Sequence, residues 1–286
     1  MSTENAVYAL QFEKNVLALA QQEGSKLFNA VTVKNGVKAK AFNQPQIGAW
    51  TLQAKAGRNS DTPIMDSQLA NRYITMKDYN GAVLLDRSDE LKAIAELRGA
   101  YQMRAVSAIG NTWDDVIISA LGGTALSGEG GTTSNALPST QKIAVGSTNL
   151  TFAKVLATKK ILDNNDVPES DRFFLISPAM LSSLLNTTQA TSSDYNTVRA
   201  LTMGEIDTWL GFKFIRSTRL ALSGNNRTGY AFHKTGMVLG VADGMYVKTD
   251  QRADKSYSWQ VYFETSVGAG RLEEKKVVEV VADESK

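Results

Sequence analysis

The sequence predicts an α+β protein. Three observations carry that prediction. One helical run, over 86–121, is far longer than a globular average. A polar, extended segment over 31–78 precedes it, and strand-like blocks with short helices between them follow it. Of the 286 residues, 43% are apolar and 21% charged, which is a globular composition able to bury a sizeable core.

Residues 5–23 read as a short amphipathic helix. Phe12, Val16 and Leu19 fall at i, i+4 and i+7 on one face, and Gly24 is a plausible stop. Over VTVKNGVKAKAF (31–42) apolar and polar residues alternate roughly by twos, so strand–turn–strand is expected with Asn35-Gly36 at the turn. The chain then becomes polar. Phe42, Ile47, Trp50, Leu52, Ile64 and Met65 are too sparse for a core of their own. Seven basic residues (Lys34, Lys38, Lys40, Lys55, Arg58, Arg72, Lys77) face three acidic ones (Asp61, Asp66, Asp78), a local charge of 7 − 3 = +4. Such a segment is either a floppy insertion or an arm that buries its apolar residues elsewhere. Trp50 in particular needs a partner surface. Strand character returns over 73–85, around Asn80-Gly81.

The long helix follows. Asp86 is a reasonable cap, and Leu91, Ile94, Leu97, Tyr101, Ala105, Ala108 and Ile109 recur at spacings of three and four. A continuous helix over 86–121 would be about 50 Å long at 1.5 Å per residue. Alternatively Gly110-Asn111 interrupts it, because Thr112 with Asp115 resembles a fresh capping box. Residues 122–149 are rich in Gly, Ser and Thr and read as a loop between two halves.

In the second half, LTFAKVLATKKILD (150–163) predicts a helix and RFFLI (172–176) a buried strand. Ser177-Pro178 then reads as N-cap and first position of a helix ending near Asn186. Residues 196–210 predict a further short helix closed by Gly211. GFKFIRS, GYAFH and MVLGVA predict strands. Two long strands, YSWQVYFETS and RLEEKKVVEVVA, are expected at the end, divided at Val267–Gly270. Glu273, Glu274, Lys275 and Lys276 read as a solvated strand face.

The chemistry is narrow. With no cysteine, disulfides, thiolate metal sites and cysteine nucleophiles are excluded. The single histidine, His233, excludes zinc sites that need two or more imidazoles from one chain, and at a strand end it reads as a hydrogen-bonded structural residue. No phosphate-binding loop, nucleophile elbow or dinucleotide fingerprint is present. Asp163, Asp166, Glu169 and Asp171 lack the glycine and ligand spacing of a calcium loop and read as a polar helix end and turn. Asp114-Asp115 reads as helix capping. No catalytic, metal or cofactor-binding residue is therefore assigned. Lys plus Arg is 31 against 29 for Asp plus Glu, a net charge of +2, too small for a dedicated nucleic-acid binder. There is no signal-like start and no stretch near 18 apolar residues, so a soluble protein made in a cytoplasm, without membrane contact, is expected.

The order of these parts resembles the major capsid proteins of tailed bacteriophages with the HK97-type fold. The likeness rests on the arm-like Ala6–Gly24, the extended Val31–Asp78 and the helix containing ELKAIAELRGAY (90–101). It continues through FFLISPAML (173–181), GFKFIRS (211–217), AFHK (231–234) and VGAGRL (267–272). The resemblance implies an N-terminal arm (1–30), an E-loop (31–78), and a P domain (79–149) with its spine helix over 86–121. It further implies an A domain (150–245) and C-terminal strands (246–286) returning to the P domain. It implies a non-enzymatic shell protein that assembles with copies of itself into pentamers and hexamers around phage dsDNA, in a virion built in the bacterial cytoplasm. Expected partners are a separate scaffolding protein, because no long pro-segment precedes the arm, a portal, a decoration protein, and packaged DNA through weak nonspecific contact. No cofactor is expected. Phe12, Val16, Leu19, Phe42, Trp50, Leu52 and Arg58 are the expected subunit-interface residues. Two other readings stay open: an encapsulin-type nanocompartment with the same fold, and an α+β hydrolase or carbohydrate-binding protein using the carboxylates of 163–171.

Overall fold

The computed structural model describes residues 22–48, 50–55, 57–65, 69–86, 97–186, 208–242 and 244–286. Phe12, Val16 and Leu19, the first part of the expected long helix and nearly all of the helix expected over 196–210 lie outside them.

Among the described residues the strands are β1 (Thr32–Asn35), β2 (Ala41–Ile47), β3 (Leu69–Thr75), β4 (Lys77–Leu85), β5 (Ala125–Ser127), β6 (Thr133–Asn135), β7 (Lys142–Ile143) and β8 (Arg172–Ile176). They continue with β9 (Thr208–Trp209), β10 (Phe212–Arg216), β11 (Leu222–Ser223), β12 (Asn226–His233), β13 (Met237–Val241), β14 (Tyr246–Arg252), β15 (Ser258–Arg271) and β16 (Val277–Asp283). The helices are α1 (Leu97–Gly122), α2 (Phe152–Asn164) and α3 (Pro178–Leu185).

The chain divides into two compact units. The first takes residues up to Ser25, Asp78–Thr112 and Gly244–Thr265; the second takes Lys26–Lys77, Trp113–Asp243 and Ser266–Lys286. Within the first, β14 pairs antiparallel with residues 258–264 of β15, and β4 also pairs with β15. Gly81 of β4 lies against the Phe263 ring, too close for any Cβ. The Asn80-Gly81 pair thus sits inside a strand, where the missing side chain admits an aromatic.

The core of the second unit is a seven-stranded sheet ordered β7-β16-β12-β8-β10-β9, with β11 paired to β12. All five residues of RFFLI are buried; Phe173–Ile176 are the continuous apolar run of a central strand, and Arg172 before them is paired with Asp163. From the sheet, Phe174, Ile176, Phe212, Ala231, Val278 and Val280 join one cluster. The helices complete it with Val155 and Leu162 from α2 and Met180 and Leu184 from α3. Thr151 caps α2 by accepting from the Lys154 N–H, and Ser177 caps α3 by accepting from the Met180 N–H, with Pro178 following as expected.

The helix α1 is uninterrupted at Gly110-Asn111. Instead of opening a new helix, Thr112 donates its hydroxyl to the Ala108 carbonyl within the same one. Ala105, Ile109, Trp113, Ile117 and Leu121 form a buried row at i, i+4 spacing. Asp114 does not cap a helix start. It is fully buried mid-helix and accepts the backbone N–H groups of Lys26 and Leu27, each at 3.1 Å.

Three further expectations change. Asn35-Gly36 does not close a hairpin: β1 runs parallel to β13, while β2 pairs antiparallel with β3. Alternation marks strands but not their partners, and Gly36 (φ 73°) turns the chain from one sheet into another. The last two strands divide at 272–276 and not at 267–270, because the glycines sit inside β15, whose residues 267–271 pair with β13. They also part company: β16 joins β12 and β7 in the seven-stranded sheet, alongside strands from the 150–245 block. Residues 122–149, read as loop, contain β5, β6 and β7, strands too short to show a period.

Candidate functional site

The polar segment is built on a hairpin. β2 and β3 pair over seven positions, from Ala41 opposite Thr75 to Ile47 opposite Leu69. β5 and β6 extend this sheet from the β3 side. The hairpin rests on the β13–β15 ladder, and it rests there on glycine. Gly240 and Gly268 are direct cross-strand partners. A Cβ on Gly240 would overlap the Phe42 ring, and one on Gly268 would overlap the Thr75 carbonyl. On Gly270 it would stand 2.5 Å from Ile74 Cγ1. Phe42, Ile74 and Val37 close over this floor and, with Val238 of β13, form a small buried cluster flanked by Met76 and Leu272.

Polar contacts hold the same hairpin at its side. The Leu272 carbonyl accepts one bond from each strand: Gln46 Nε2 at 2.7 Å and Arg72 Nε at 2.8 Å. Arg72 Nη2 also donates to Glu274 Oε2 at 2.6 Å. Next along the chain is Arg271, whose side chain is fully buried. It donates to the Leu121 and Gly123 carbonyls at 2.8 and 2.9 Å, and to the Asn135 carbonyl at 3.0 Å. The first two lie at the C-terminal end of α1, where unsatisfied carbonyls favour a cation. Burial pulls the Arg271 guanidinium below its ordinary pKa, and Glu274 opposes that shift.

Beyond Ile47 and before Leu69 the described residues form no strand. Gly57–Ser60 make a turn, with Ser60 N–H donating to the Gly57 carbonyl and Asn59 at φ 64°. This loop and the strand end before it display large apolar side chains to solvent: Ile47 at the end of β2 is 66% exposed, Trp50 62%, Leu52 85% and Ile64 98%.

Of the expected interface residues, Trp50, Leu52 and Arg58 lie exposed on this loop, with Arg58 inside the turn. Phe42 does not join them, because its ring is packed inside its own chain. Arg72 is likewise engaged within the chain, which removes one cation from the +4 counted along the segment. Arg271 and Glu274 went unread in the sequence. Glu274 looked like a solvated strand residue but stands in a turn, its side chain 19% exposed, paired with Arg72. An arginine inside VGAGRL was the one available signal: a charged residue closing an apolar, glycine-rich strand needs buried acceptors.

The other polar candidates are structural. His233 is buried, and its Nδ1 accepts from the Thr235 N–H at 3.2 Å. Burial and Lys276 hold its pKa below the ordinary value. Burial works against the charged form of Asp163, yet Arg172 at 2.6 Å and Lys159 at 3.1 Å hold its pKa low. Asp166 and Asp171 occupy left-handed turn positions, each at φ 53°. Among the described residues no three His, Asp or Glu side chains are placed to hold a metal ion, and no helix is long and apolar enough to cross a membrane.

Known structures share this fold. The capsid of Ralstonia phage GP4 superposes with a TM-score of 0.77 at 9% identity, over 99% of this chain and 97% of that one. The capsid of cyanophage P-SCSP1u gives 0.74 at 17% identity, over 96% and 93%. The cyanophage Pam1 capsid gives 0.71 at 13%, over 99% and 98%. No curated protein sequence matches. The fold is the HK97-type capsid fold, an architecture for building shells. The chain belongs to the phage capsid protein family, whose model matches residues 5–284. It is a structural major capsid protein and not an enzyme, and its place is the shell of the virion.

Proposed function

We propose that copies of this chain assemble as pentamers and hexamers of an icosahedral shell around phage dsDNA, and that the 48–68 loop lies on a neighbouring subunit. The observation that carries this is the display of Trp50, Leu52 and Ile64 on a loop with no core of its own, beside the exposed Ile47 that ends β2. Each would contribute roughly 1.5–3 kcal/mol if fully buried. That gain, repeated at every contact, offsets the entropy of ordering the loop.

Under this reading residues 1–30 are the N-terminal arm, with Phe12, Val16 and Leu19 docking it on another surface. Residues 31–78 are the E-loop, with its hairpin as base. The helix over 86–121 belongs to a P domain and residues 150–245 to an A domain. Assembly in the host cytoplasm uses a separate scaffolding protein, and portal and decoration proteins join the shell. The net charge of +2 suits a wall that touches packaged DNA weakly.

Sedimentation velocity and negative-stain microscopy of the full chain, expressed alone and with its scaffolding protein, test the reading. Capsomer-sized species or closed shells are expected. A single monomer species under both conditions would overturn it.

A further inference from the structure

The glycine floor poses a mechanical question. At Gly240, Gly268 and Gly270 the ladder has no side chains to interlock with the hairpin above it. Val238 of β13 adds a buried side chain to the cluster, and apolar packing by itself is not directional, so it holds the hairpin down more than it sets its angle. Hydrogen bonds are directional: β3 is held to β5 at Arg72 opposite Ser127 and Tyr73 opposite Leu126, and side-chain bonds of the hairpin gather around Leu272. There Arg72 and Gln46, one from each strand, converge on the Leu272 carbonyl.

Glu274 stands between two guanidiniums. Its Oε2 bonds Arg72 at 2.6 Å, and its Oε1 lies 3.8 Å from Arg271 Nε. Among the described residues these last two atoms are buried without a hydrogen-bond partner, so the carboxylate is held by charge from one side and by a bond from the other. Arg271 in turn is fastened by three carbonyls, two of them at the end of α1. A largely buried ionic cluster is weak evidence of added stability, and in some proteins such a cluster selects one arrangement.

We propose that Arg72, Glu274 and Arg271 form a brace that sets the direction in which the β2–β3 hairpin presents the 48–68 loop, with the carbonyl end of α1 as its fixed point. Glu274 is the positioning residue: it acts through Arg72. The inference rests on the reading that the loop serves a neighbouring subunit, but the brace operates within one chain and is tested there.

The absence of cysteine makes the test clean, since introduced thiols are the sole labelling sites. Ile47→Cys on the hairpin and Ser139→Cys on the body of the same unit carry nitroxides. Labelled full-length protein is diluted with unlabelled protein, so that pulsed EPR reads distances within one chain. Glu274→Gln should broaden the distance distribution and shift its mean. Glu273→Gln, which removes the adjacent 2.9 Å pair with Lys276, should leave it as in the parent. An unchanged distribution for Glu274→Gln, or equal broadening in both variants, would overturn the brace. Should Glu274→Gln not fold, Arg72→Gln breaks the same pair from the other side and is read identically. If neither folds, the cluster determines folding and the positioning role is overturned. Failure of the loop to matter in assembly would appear in shell yield, a different measurement.

Discussion

The Phe42 ring occupies the space that a Cβ on Gly240 would need. This contact explains why a large aromatic in a polar segment is not a surface residue. It also explains why β13 carries a glycine between Leu239 and Val241, two buried branched residues. The hairpin that launches the exposed loop is seated on backbone.

Gly240→Ala is therefore expected to destabilise the protein by about 1–3 kcal/mol, the usual range for overpacking. Gly268→Ala should be worse. Its Cβ would meet the Thr75 carbonyl, which cannot swing aside as a ring can. Urea midpoints of the two variants test this order; equal or negligible shifts would contradict the seat.

Asp114 ties Lys26 and Leu27 to α1 by accepting their two backbone N–H groups. Asp114→Ala removes a buried charged acceptor and should lower stability by about 2–3 kcal/mol. Calorimetric or denaturant unfolding reads the loss. A change under about 0.5 kcal/mol, the level of a neutral surface substitution, would count against it.

The loop residues should behave in the opposite way. Trp50→Ala and Leu52→Ala remove side chains that touch little within the chain, so unfolding should move by no more than about 0.5 kcal/mol. Shell yield should fall sharply in the same variants. A large stability loss with normal shells would place these residues in the subunit core.

Acid should weaken the fold through His233. Burial, with Lys276 next in size and Arg172 a lesser contributor, holds its pKa below the ordinary 6.5, while Asp171 opposes the shift. A depressed pKa means the unfolded chain binds more protons, so this contribution is intact above pH 6.5 and is lost as pH falls toward the folded-state value. Asp163 and Glu284, also held low by their cationic partners, act in the same direction at lower pH. Because the chain has one histidine, a single imidazole NMR resonance reports the titration. A midpoint at or above 6.5 would contradict the buried neutral ring.

Local chemistry was legible where one residue or one short period decides it. Ser177-Pro178 announced the start of α3, and RFFLI announced a strand covered on both faces. What stayed hidden was pairing across distance. Asn35-Gly36 looks like a hairpin turn, yet β1 takes a partner some two hundred residues away, and nothing in a local window encodes that choice. The glycines of VGAGRL looked like a break for the same reason: their function is to admit Ile74 and the Thr75 backbone, visible only once the hairpin is placed above them. The exposure of Trp50 and Leu52 was legible because a segment without a core leaves its apolar residues exposed. Glu274 was not, because its partner Arg72 is remote in sequence.

The central claim is that the loop joins subunits while the hairpin beneath it belongs to the subunit's own fold. A deletion beginning at residue 36 would confuse the two, since it removes Val37, Phe42 and all of β2. Ile47 and Leu69 are direct strand partners, so a short Gly-Ser turn in place of residues 48–66 can close the hairpin at its natural end. Electron microscopy of particles from this variant, alongside its unfolding midpoint, is the most direct measurement. The expected result is a subunit as stable as the parent that no longer yields closed shells in normal amount. Closed shells of parental yield and stability from the shortened chain would contradict the account.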